Sequence, residues 1–488
     1  MNVFRCLFAL LLKLGLAVVV VLLLAPSGEL GHAAENSGSV RGLSSISAVP
    51  VVRVQAPDAA AGKTWLYQVA LPLQVSSTQA AIFANVREAL AQGVDFEVGN
   101  DVLVFGSLAE LATAKPIVVN RNHDEPNPNS VPANQPATMV KYPVRGGFVP
   151  LGAKRGDGTP HPHAGTGFGL SMVQAWKIPV PGPPPYLQNS YADAESYGYW
   201  EFQQFAFDGA KFQVTNTQRV PFDKLFADWR ISNGGMTNAI ADGDDLLVTV
   251  VAKSRSRETA RFNGSGVLRM RREDGAWRAV SLDPITPLSS TIEPSLVRDL
   301  DGTLLASARG SGDRHHDICI CRSTDGGRTW TKIIESLGLV SAAPITLNQA
   351  ADGTPFIAAN LKAVIPGPRD PLTLLAQQRK IAIEPGLNSR NTLTLWPLNE
   401  QRTALAATLQ VLDCRAEFGP PVGSNWSWRI DHPSGMTVRL ADEKWHHLLG
   451  ARVQDYREIK VAMPPTARTG MYVYEVFSTG APHPVWKF

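Results

Sequence analysis

The chain has 488 residues, with 46 Lys and Arg against 43 Asp and Glu, and its formal charge is +3 at pH 7. This near balance excludes a protein whose whole surface is basic enough to bind nucleic acid. Neither a lack of aromatic residues nor an excess of charge indicates disorder. The 41 Gly and 36 Pro instead indicate a turn-rich globular protein, long enough to bury a large core.

The first 34 residues have the pattern of a secretory signal peptide. Arg5 and Lys13 supply positive charge, and an apolar run from Leu14 to Ala25 precedes small residues that end at Ala34. The run is shorter than the ~20 residues that span a bilayer. We expect 1–34 to be removed and the mature protein to be secreted or periplasmic, with no stable membrane span. An uncleaved N-terminal anchor is the alternative, because the apolar stretch lengthens if Lys13 reaches the interface.

Residues 35–120 differ in pattern from the rest of the chain. Short apolar alternations, such as Trp65 to Leu73, accompany a helical period from Gln79 to Gln92. Residues 121–138 are rich in Asn and Pro, which is typical of a linker. We expect a small N-terminal module of unknown role over 35–120, a linker over 121–138, and a larger domain over 139–488.

The domain from residue 139 onward repeats short apolar strands separated by turns with Asp-Gly. Examples of such strands begin at Asp245, Asp301 and Asp352. Many short strands with turn signals and little helical periodicity predict an all-β fold. Six repeats over this length would take about 58 residues each, which suits four-stranded blades. We therefore expect a six-bladed β-propeller.

One segment, Ser323-Thr-Asp-Gly-Gly-Arg-Thr-Trp330, fits the pattern S-x-D-x-G-x-x-W, with Asp325 and Gly327 at its fixed positions. In such a turn the Asp accepts hydrogen bonds from turn amides, the glycines permit positive φ, and the Trp packs between neighbouring strands. The segment resembles the Asp-box, or BNR repeat, of propellers in the sialidase (neuraminidase) superfamily. Because many propellers use this structural device, the box implies a fold rather than an activity.

A second segment resembles the catalytic region of sialidases. Glu293 opens one predicted strand, and Arg309 closes the next one, sixteen positions later. The resemblance implies that the Glu is a base to a nucleophilic Tyr, and that the Arg is one of three that bind the substrate carboxylate. The segments around Arg145 and Arg390 are similar to those that carry the other two arginines.

An arginine triad also has a physical meaning of its own. A planar guanidinium binds a carboxylate through two hydrogen bonds and stays charged, so three converging arginines would require an anionic ligand. The alternative for each arginine is a surface position, or a nearby acidic residue as its partner.

The sequence departs from the sialidase pattern at two positions. His432 stands where the nucleophilic Tyr is expected, and the loop expected to hold the acid Asp contains His163 instead. Histidine transfers protons near neutral pH, so both histidines are candidates for the vacant roles, and Asp193 and Glu195 are further candidates for the acid. If Glu293 lies near His432, the pair could act as base and acid toward water, or toward a proton next to a carboxylate.

No metal and no cofactor are expected. His161 and His163 alternate on the chain, but no third metal ligand can be identified from the sequence. Cys319 and Cys321 lack the partner pair of a metal finger, and they fit the role of buried small hydrophobes.

These patterns predict a sialidase-like glycoside hydrolase that acts on a terminal acidic sugar of a glycan or glycoconjugate, with sialic acid as one candidate. Two alternatives stay open: a non-catalytic glycan-binding propeller, and a polysaccharide lyase that acts on uronates. The predicted site has three catalytic residues and three ligands of the substrate carboxylate: Glu293, His432 and His163, and Arg145, Arg309 and Arg390.

Overall fold

The computed structural model describes residues 46–55, 64–89, 99–106, 117–120, 123–129, 132–141, 145–177, 188–189, 198–221, 226, 229–254, 264–286, 291–310, 317–336, 343–360, 390, 392–405, 410–413, 428–455 and 470–478. The predicted signal peptide, together with Asp193 and Glu195, lies outside these residues. In the part of the chain that the structure describes, no helix has the length and apolar character needed to cross a membrane.

The described residues form 28 β-strands. In chain order they are β1 (Ile46–Gln55), β2 (Thr64–Gln74), β3 (Ala80–Ala89), β4 (Gly99–Gly106), β5 (Ile117–Asn120), β6 (His123–Asn127), β7 (Gln135–Lys141), β8 (Arg145–Val149), β9 (Thr166–Lys177), β10 (Gln188–Asn189), β11 (Gly198–Phe207), β12 (Phe212–Pro221), β13 (Trp229–Gly234), β14 (Ile240–Asp242), β15 (Asp245–Ser254), β16 (Gly264–Glu273), β17 (Ala276–Pro284), β18 (Thr291–Arg298), β19 (Leu304–Gly310), β20 (Ile318–Ser323), β21 (Thr331–Ser336), β22 (Thr346–Gln349), β23 (Pro355–Ala359), β24 (Thr392–Pro397), β25 (Gln410–Asp413), β26 (Trp428–Arg439), β27 (Trp445–Asp455) and β28 (Gly470–Ser478). The ladders between these strands are antiparallel.

The strands are arranged in six sheets. Five of them have a regular path of four strands: β2–β5, β13 with β15–β17, β18–β21, β22–β25, and β26–β28 with β1. The sixth, built from β6–β12, is irregular because both β7 and β8 pair with β9. Short antiparallel sheets in sequence order are typical of propeller blades.

One strand from each sheet, called its inner strand below, contacts the inner strand of the next sheet around a ring. Contacts join β26 to β2, β2 to β8, β8 to β14, β14 to β18, β18 to β22, and β22 to β26. β1 pairs with β28, so the first strand completes the last sheet and closes the ring with backbone hydrogen bonds. The all-β propeller that the sequence predicted is confirmed, and the described strands form six sheets around the ring.

The predicted N-terminal module over 35–120 is wrong for its described residues. They supply β1 of the closing blade and all four strands of the β2–β5 blade. Apolar side chains of that blade, Leu71 and Phe83, pack into one cluster with Phe148 and Phe205 of the next sheet. This burial removes apolar surface from water on a scale of about 1.5–3 kcal/mol for each large side chain, so the segment is part of the propeller core.

Two further expectations for this region also fail. The predicted linker over 121–138 contains the β6–β7 hairpin, and the helical period from Gln79 to Gln92 falls on β3. β3 pairs with β2 on one side and β4 on the other. Pairing on both edges satisfies the backbone groups of this segment, and this tertiary context overrides its local helical pattern.

The core lies between neighbouring blades rather than at one centre. Cys319 and Cys321 of β20 are buried, and they share an apolar cluster with Leu247 and Val267 of the preceding blade. The prediction that the two cysteines are buried small hydrophobes is confirmed.

Three turns repeat the tripeptide Asp-Gly-Thr, beginning at Asp157, Asp301 and Asp352. In each, the Asp side chain accepts a hydrogen bond of 2.9 Å from the Thr backbone amide. The Gly has a φ of 85° in the first two turns and 90° in the third, which a residue with a Cβ rarely adopts. The repeated tripeptide therefore marks one turn type at equivalent places in three blades.

The segment Ser323 to Trp330 forms the turn between β20 and β21. Asp325 Oδ1 accepts hydrogen bonds of 3.0 Å from the backbone amides of residues 328 and 329. The Trp330 indole donates to the Gly327 carbonyl at 3.0 Å, and its ring packs against the apolar cluster shared with the preceding blade. Hydrogen bonds from Thr329 and its neighbours hold the pKa of Asp325 well below its ordinary value. The turn is thus held by its own side chains and tied to the core.

Ion pairs join neighbouring blades at the edge that carries these turns. Arg298, at the end of β18, donates to Asp242 at the end of β14, over 2.8 Å. Arg402 donates from the β22–β25 blade to Asp299 of the β18–β21 blade, also over 2.8 Å. This edge therefore lies at the ends of the inner strands, and their beginnings lie at the opposite edge.

Gly146 is a sensitive position in the inner strand β8. A Cβ placed there would lie 1.9 Å from the Phe168 carbonyl oxygen, whereas a Cβ at Gly156 would meet no atom within 4 Å. We expect Gly146→Ala to lower the free energy of unfolding by about 1–3 kcal/mol, because the backbone of β9 must move. Denaturant titration measures this, with Gly156→Ala as control. Equal stability of the two variants would contradict the packing of β8 against β9.

Candidate functional site

Glu293 lies in a β-bulge near the beginning of β18. The pairing with β19 shifts between Ile292 and Ser295, so Glu293 and Pro294 together oppose one residue of β19. The φ of Glu293 is 57°, in the left-handed region that non-glycine residues rarely adopt. Its carboxylate Oε2 accepts a hydrogen bond of 2.7 Å from Nε of Arg309.

His432 occupies the same kind of bulge near the beginning of β26. The pairing with β27 shifts between Asp431 and Ser434, so His432 and Pro433 oppose one residue. The φ of His432 is 52°. Among the described residues with positive φ other than glycine, Glu293 and His432 are the two that lie inside strands.

The two bulges are equivalent features of two blades. Each contains an x-Pro-Ser tripeptide, 293–295 in β18 and 432–434 in β26. In each blade the neighbouring strand carries an arginine opposite the residue that precedes the tripeptide: Arg309 in the first blade and Arg452 in the second. Proline disfavours the right-handed helical region for the residue before it. Strain of this kind costs on the order of 1–3 kcal/mol and clusters at functional sites. The repeated tripeptide is a sequence signal that the motif search missed.

Asp431 is buried between two arginines. Arg452 donates to it twice, from Nε to Oδ1 and from Nη2 to Oδ2, both over 2.8 Å. Arg390 donates from Nη1 to Oδ2 over 3.1 Å, and its carbonyl accepts a hydrogen bond from the Ile430 amide over 2.7 Å. The side chains of Asp431 and Arg452 are fully buried. Sequence reasoning missed both residues, because neither belongs to the sialidase motifs.

Glu293 is ionised at neutral pH. Burial acts to raise the pKa of its carboxyl, but the charge and hydrogen bond of Arg309 outweigh burial, and His432 and Arg390 act in the same direction. The pKa therefore lies below its ordinary value. A carboxylate in this state can accept a proton and cannot donate one.

His432 is neutral at pH 7. Its Nδ1 lies 3.1 Å from Oδ1 of Asp431, in a bent contact. Burial and the positive charge of Arg452 lower the pKa of the imidazole to about 4, although Asp431 acts in the opposite direction. Around neutral pH the described site thus combines three guanidiniums, two carboxylates and a neutral imidazole, which leaves one positive charge in excess.

Three side chains of the site are partly exposed to solvent. Glu293 exposes 20% of its side chain, while Arg390 and His432 each expose 10%. Among the described residues, no group of three or more His, Cys, Asp and Glu side chains is arranged to hold a metal ion. The chemistry that this arrangement itself offers is proton transfer next to an anionic group.

The structure brings together four of the six predicted site residues: Glu293, Arg309, Arg390 and His432. Arg390, expected as a ligand of the substrate, uses one of its donors on an acid of the chain itself. Arg145 opens β8, but its side chain lies outside the described part of the chain.

His163 is not with these residues. It lies in the β8–β9 connection, where its ring contacts the Trp277 ring at 5.6 Å. The neighbouring His161 Nε2 is 3.4 Å from the Gly243 carbonyl, in the turn after β14. That turn lies at the edge of the propeller where β18 ends. Glu293 lies near the beginning of β18, about 17 Å from its last residue, since a strand rises about 3.3 Å per residue. The expectation that His163 supplies the acid of this site is therefore wrong in geometry.

Residues 240–391 match the family described as BNR repeat-like domain. No sequence among the curated proteins matches the chain. Among solved structures, a protein of unknown function from Dyadobacter fermentans is similar over 88% of this chain and 99% of its own, with 13% identity and a TM-score of 0.50.

Two similar structures carry named activities. A sialidase from Trypanosoma rangeli in complex with sialic acid shares 10% identity over 88% of this chain and 58% of its own, with a TM-score of 0.47. An α-L-arabinanase from Penicillium chrysogenum shares 10% identity over 88% of this chain and 98% of its own, with a TM-score of 0.41. The chain thus spans little more than half of the sialidase. The resemblance to the BNR repeat is confirmed for residues 240–391.

Proposed function

We propose that the protein is an exported, glycan-acting propeller enzyme, a sialidase-like glycoside hydrolase whose substrate carries a carboxylated sugar. The observation that supports this most is the meeting of ionised Glu293 with His432, each on a strained bulge, among three arginines. One excess positive charge suits a ligand with one negative charge. Export rests on the signal-peptide pattern of residues 1–34.

Hydrolysis of a glycoside requires two proton transfers. An acid protonates the oxygen of the leaving sugar, and a base takes a proton from the attacking water. Glu293 is the base, because its lowered pKa keeps it ionised into the acid range. His432 is the acid in its protonated form, which is populated below its pKa of about 4.

The hydrolase hypothesis predicts an acidic pH profile. Above the pKa of about 4 the imidazole of His432 loses its proton and no longer serves as acid, so turnover should fall as pH rises through that value. Release of the fluorophore from a fluorogenic sialoside, followed between about pH 3 and pH 8, measures this. A rate that rises with pH over the same range would contradict His432 as the acid.

A second function, elimination from a uronate, is favoured by the neutral state of His432 at pH 7. A neutral imidazole is a base that can take the proton next to a carboxylate, and an arginine on that carboxylate stabilises the negative charge that develops. This reaction should speed up as pH rises through about 4, and its unsaturated product absorbs ultraviolet light. The rates of the two candidate reactions therefore change in opposite directions as pH rises through about 4. Binding of acidic glycans without either product would indicate a non-catalytic propeller.

A further inference from the structure

Oδ1 of Asp431 contacts both His432 and Arg452, and Oδ2 accepts hydrogen bonds from Arg452 and Arg390. We propose that Asp431 is a positioning residue: it fixes the proton of His432 on Nδ1 and leaves the lone pair of Nε2 available for proton transfer. The inference rests on the proposed function only in taking the substrate, or its attacking water, as the partner of Nε2.

The distance between His432 and Asp431 selects the tautomer. Nδ1 lies 3.1 Å from the carboxylate Oδ1. If Nδ1 had no proton, its lone pair would face a negatively charged oxygen at that distance, which is repulsive. With a proton on Nδ1 the same contact is attractive, even though it is bent. Because a neutral imidazole carries one proton, Nε2 is then the basic nitrogen.

Asp431 keeps its charge and place because two guanidiniums donate to its carboxylate oxygens. Arg452 binds both carboxylate oxygens and is itself fully buried, and Arg390 adds a third hydrogen bond. A bidentate guanidinium fixes the plane of a carboxylate as well as its position. His432 therefore faces an acceptor whose position and orientation are fixed by Arg452 and Arg390.

The charged groups around His432 then set its basicity. Asp431 stabilises the imidazolium that forms when Nε2 accepts a proton, whereas Arg452 and Arg390 oppose it, and ionised Glu293 lies near enough to interact with the ring. Arg309 lies beyond Glu293 and is hydrogen-bonded to it. The proton is thus accepted at Nε2 and can be passed on from there.

The test is ¹⁵N NMR of the imidazoles in the full-length mature protein, with His432 assigned by loss of its signals in His432→Gln. At pH 7 we expect a protonated Nδ1 and a pyridine-like Nε2. In Asp431→Asn, the amide oxygen should take the place of Oδ2, which accepts from both guanidiniums, and the NH₂ group the place of Oδ1 beside His432. An NH₂ group facing Nδ1 moves the proton of His432 to Nε2. Turnover of the acidic glycan should fall on the order of 10²-fold or more, because the wrong nitrogen then carries the proton.

A matched control lies in the same blade. His446 Nδ1 is 2.5 Å from Oε1 of Glu475, so Glu475→Gln removes a comparable carboxylate–histidine pair outside the site. It should change the titration of His446 while leaving the signals of His432 and the turnover unchanged. A second variant, Arg390→Met, keeps the bidentate Arg452 pair. It should raise the pKa of His432 above about 4 without moving the proton from Nδ1, which a purely structural role of Arg390 would not do.

A parent protein with its proton on Nε2 overturns the inference, whatever its activity. So does an Asp431→Asn variant that folds and keeps both the NMR pattern and the turnover of the parent. If Asp431→Asn does not fold, the inference is tested by the tautomer of His432 in the parent protein and by the pKa of His432 in Arg390→Met. A proton on Nε2 in the parent, or an unchanged pKa in Arg390→Met, contradicts it. The expected tautomer together with no binding or turnover of any acidic glycan contradicts the proposed function and supports the role of Asp431.

Discussion

Asp431→Asn is expected to lower the free energy of unfolding by about 3–5 kcal/mol, because it removes the charge that balances two buried guanidiniums. Asp431 and Arg452 are fully buried and share two hydrogen bonds of 2.8 Å. An uncompensated guanidinium in that position has neither water nor a full set of acceptors. Urea or guanidinium denaturation of the mature protein measures the change.

A double-mutant cycle measures how much of this loss of stability comes from the interaction between Asp431 and Arg452. Combining Asp431→Leu with Arg452→Met should cost less stability than either single change, because the double variant buries no unpaired charge. Asp352→Asn is the control for loss of a carboxylate, since Asp352 is only partly buried in an Asp-Gly-Thr turn. Additive effects of Asp431→Leu and Arg452→Met would contradict a direct interaction between the two residues.

The second large effect concerns Glu293. Replacing it with Gln should lower kcat by about 10²–10⁴-fold, because Gln has the shape of Glu but cannot accept a proton at neutral or acidic pH. Stability should change little, since the side chain is 20% exposed and its oxygen can still accept the hydrogen bond of Arg309. Steady-state kinetics on the fluorogenic sialoside and on a uronate polymer measure the loss.

Glu335→Gln supplies the matched control for this change. Glu335 belongs to the outer strand β21 of the same blade and pairs with Lys332 over 2.5 Å. Its replacement should leave kcat at the parent value. A Glu293→Gln variant with the activity of the parent would exclude Glu293 as the base and, with it, the hydrolase and its acid profile.

The sequence predicted those features of the fold that depend on residues close together along the chain. The Asp-Gly-Thr turns and the segment from Ser323 to Trp330 hold themselves together by hydrogen bonds between residues two to four positions apart. Such short-range chemistry is visible in the order of the residues, and it led to the β-propeller. The assignment of residues 35–120 to a separate module was wrong, because β1 finds its partner in β28 at the other end of the chain.

The site could be read only in part. Glu293 and Arg309 were found together because one segment, with the two residues sixteen positions apart, resembles the catalytic region of sialidases. In the structure they lie on adjacent strands of one blade. Arg390 was found, but its partner Asp431 is 41 positions away in the next blade, and no local pattern links the two. His163 stands in the right order along the chain, yet the direction of β8 carries it to the opposite edge of the propeller.

Composition, turn chemistry and strand period were thus enough for an all-β propeller, since these depend on neighbours along the chain. The resemblance of one segment to sialidases pointed to Glu293 and Arg309. The other properties of the site depend on contacts between different blades of the ring. Its closure places His432 of β26 near enough to Glu293 of β18 to act on the pKa of that carboxyl. It also buries Asp431 between Arg390 and Arg452, and it lowers the pKa of His432 to about 4. Burial and long-range charge create those properties, and both arise only when distant segments pack together.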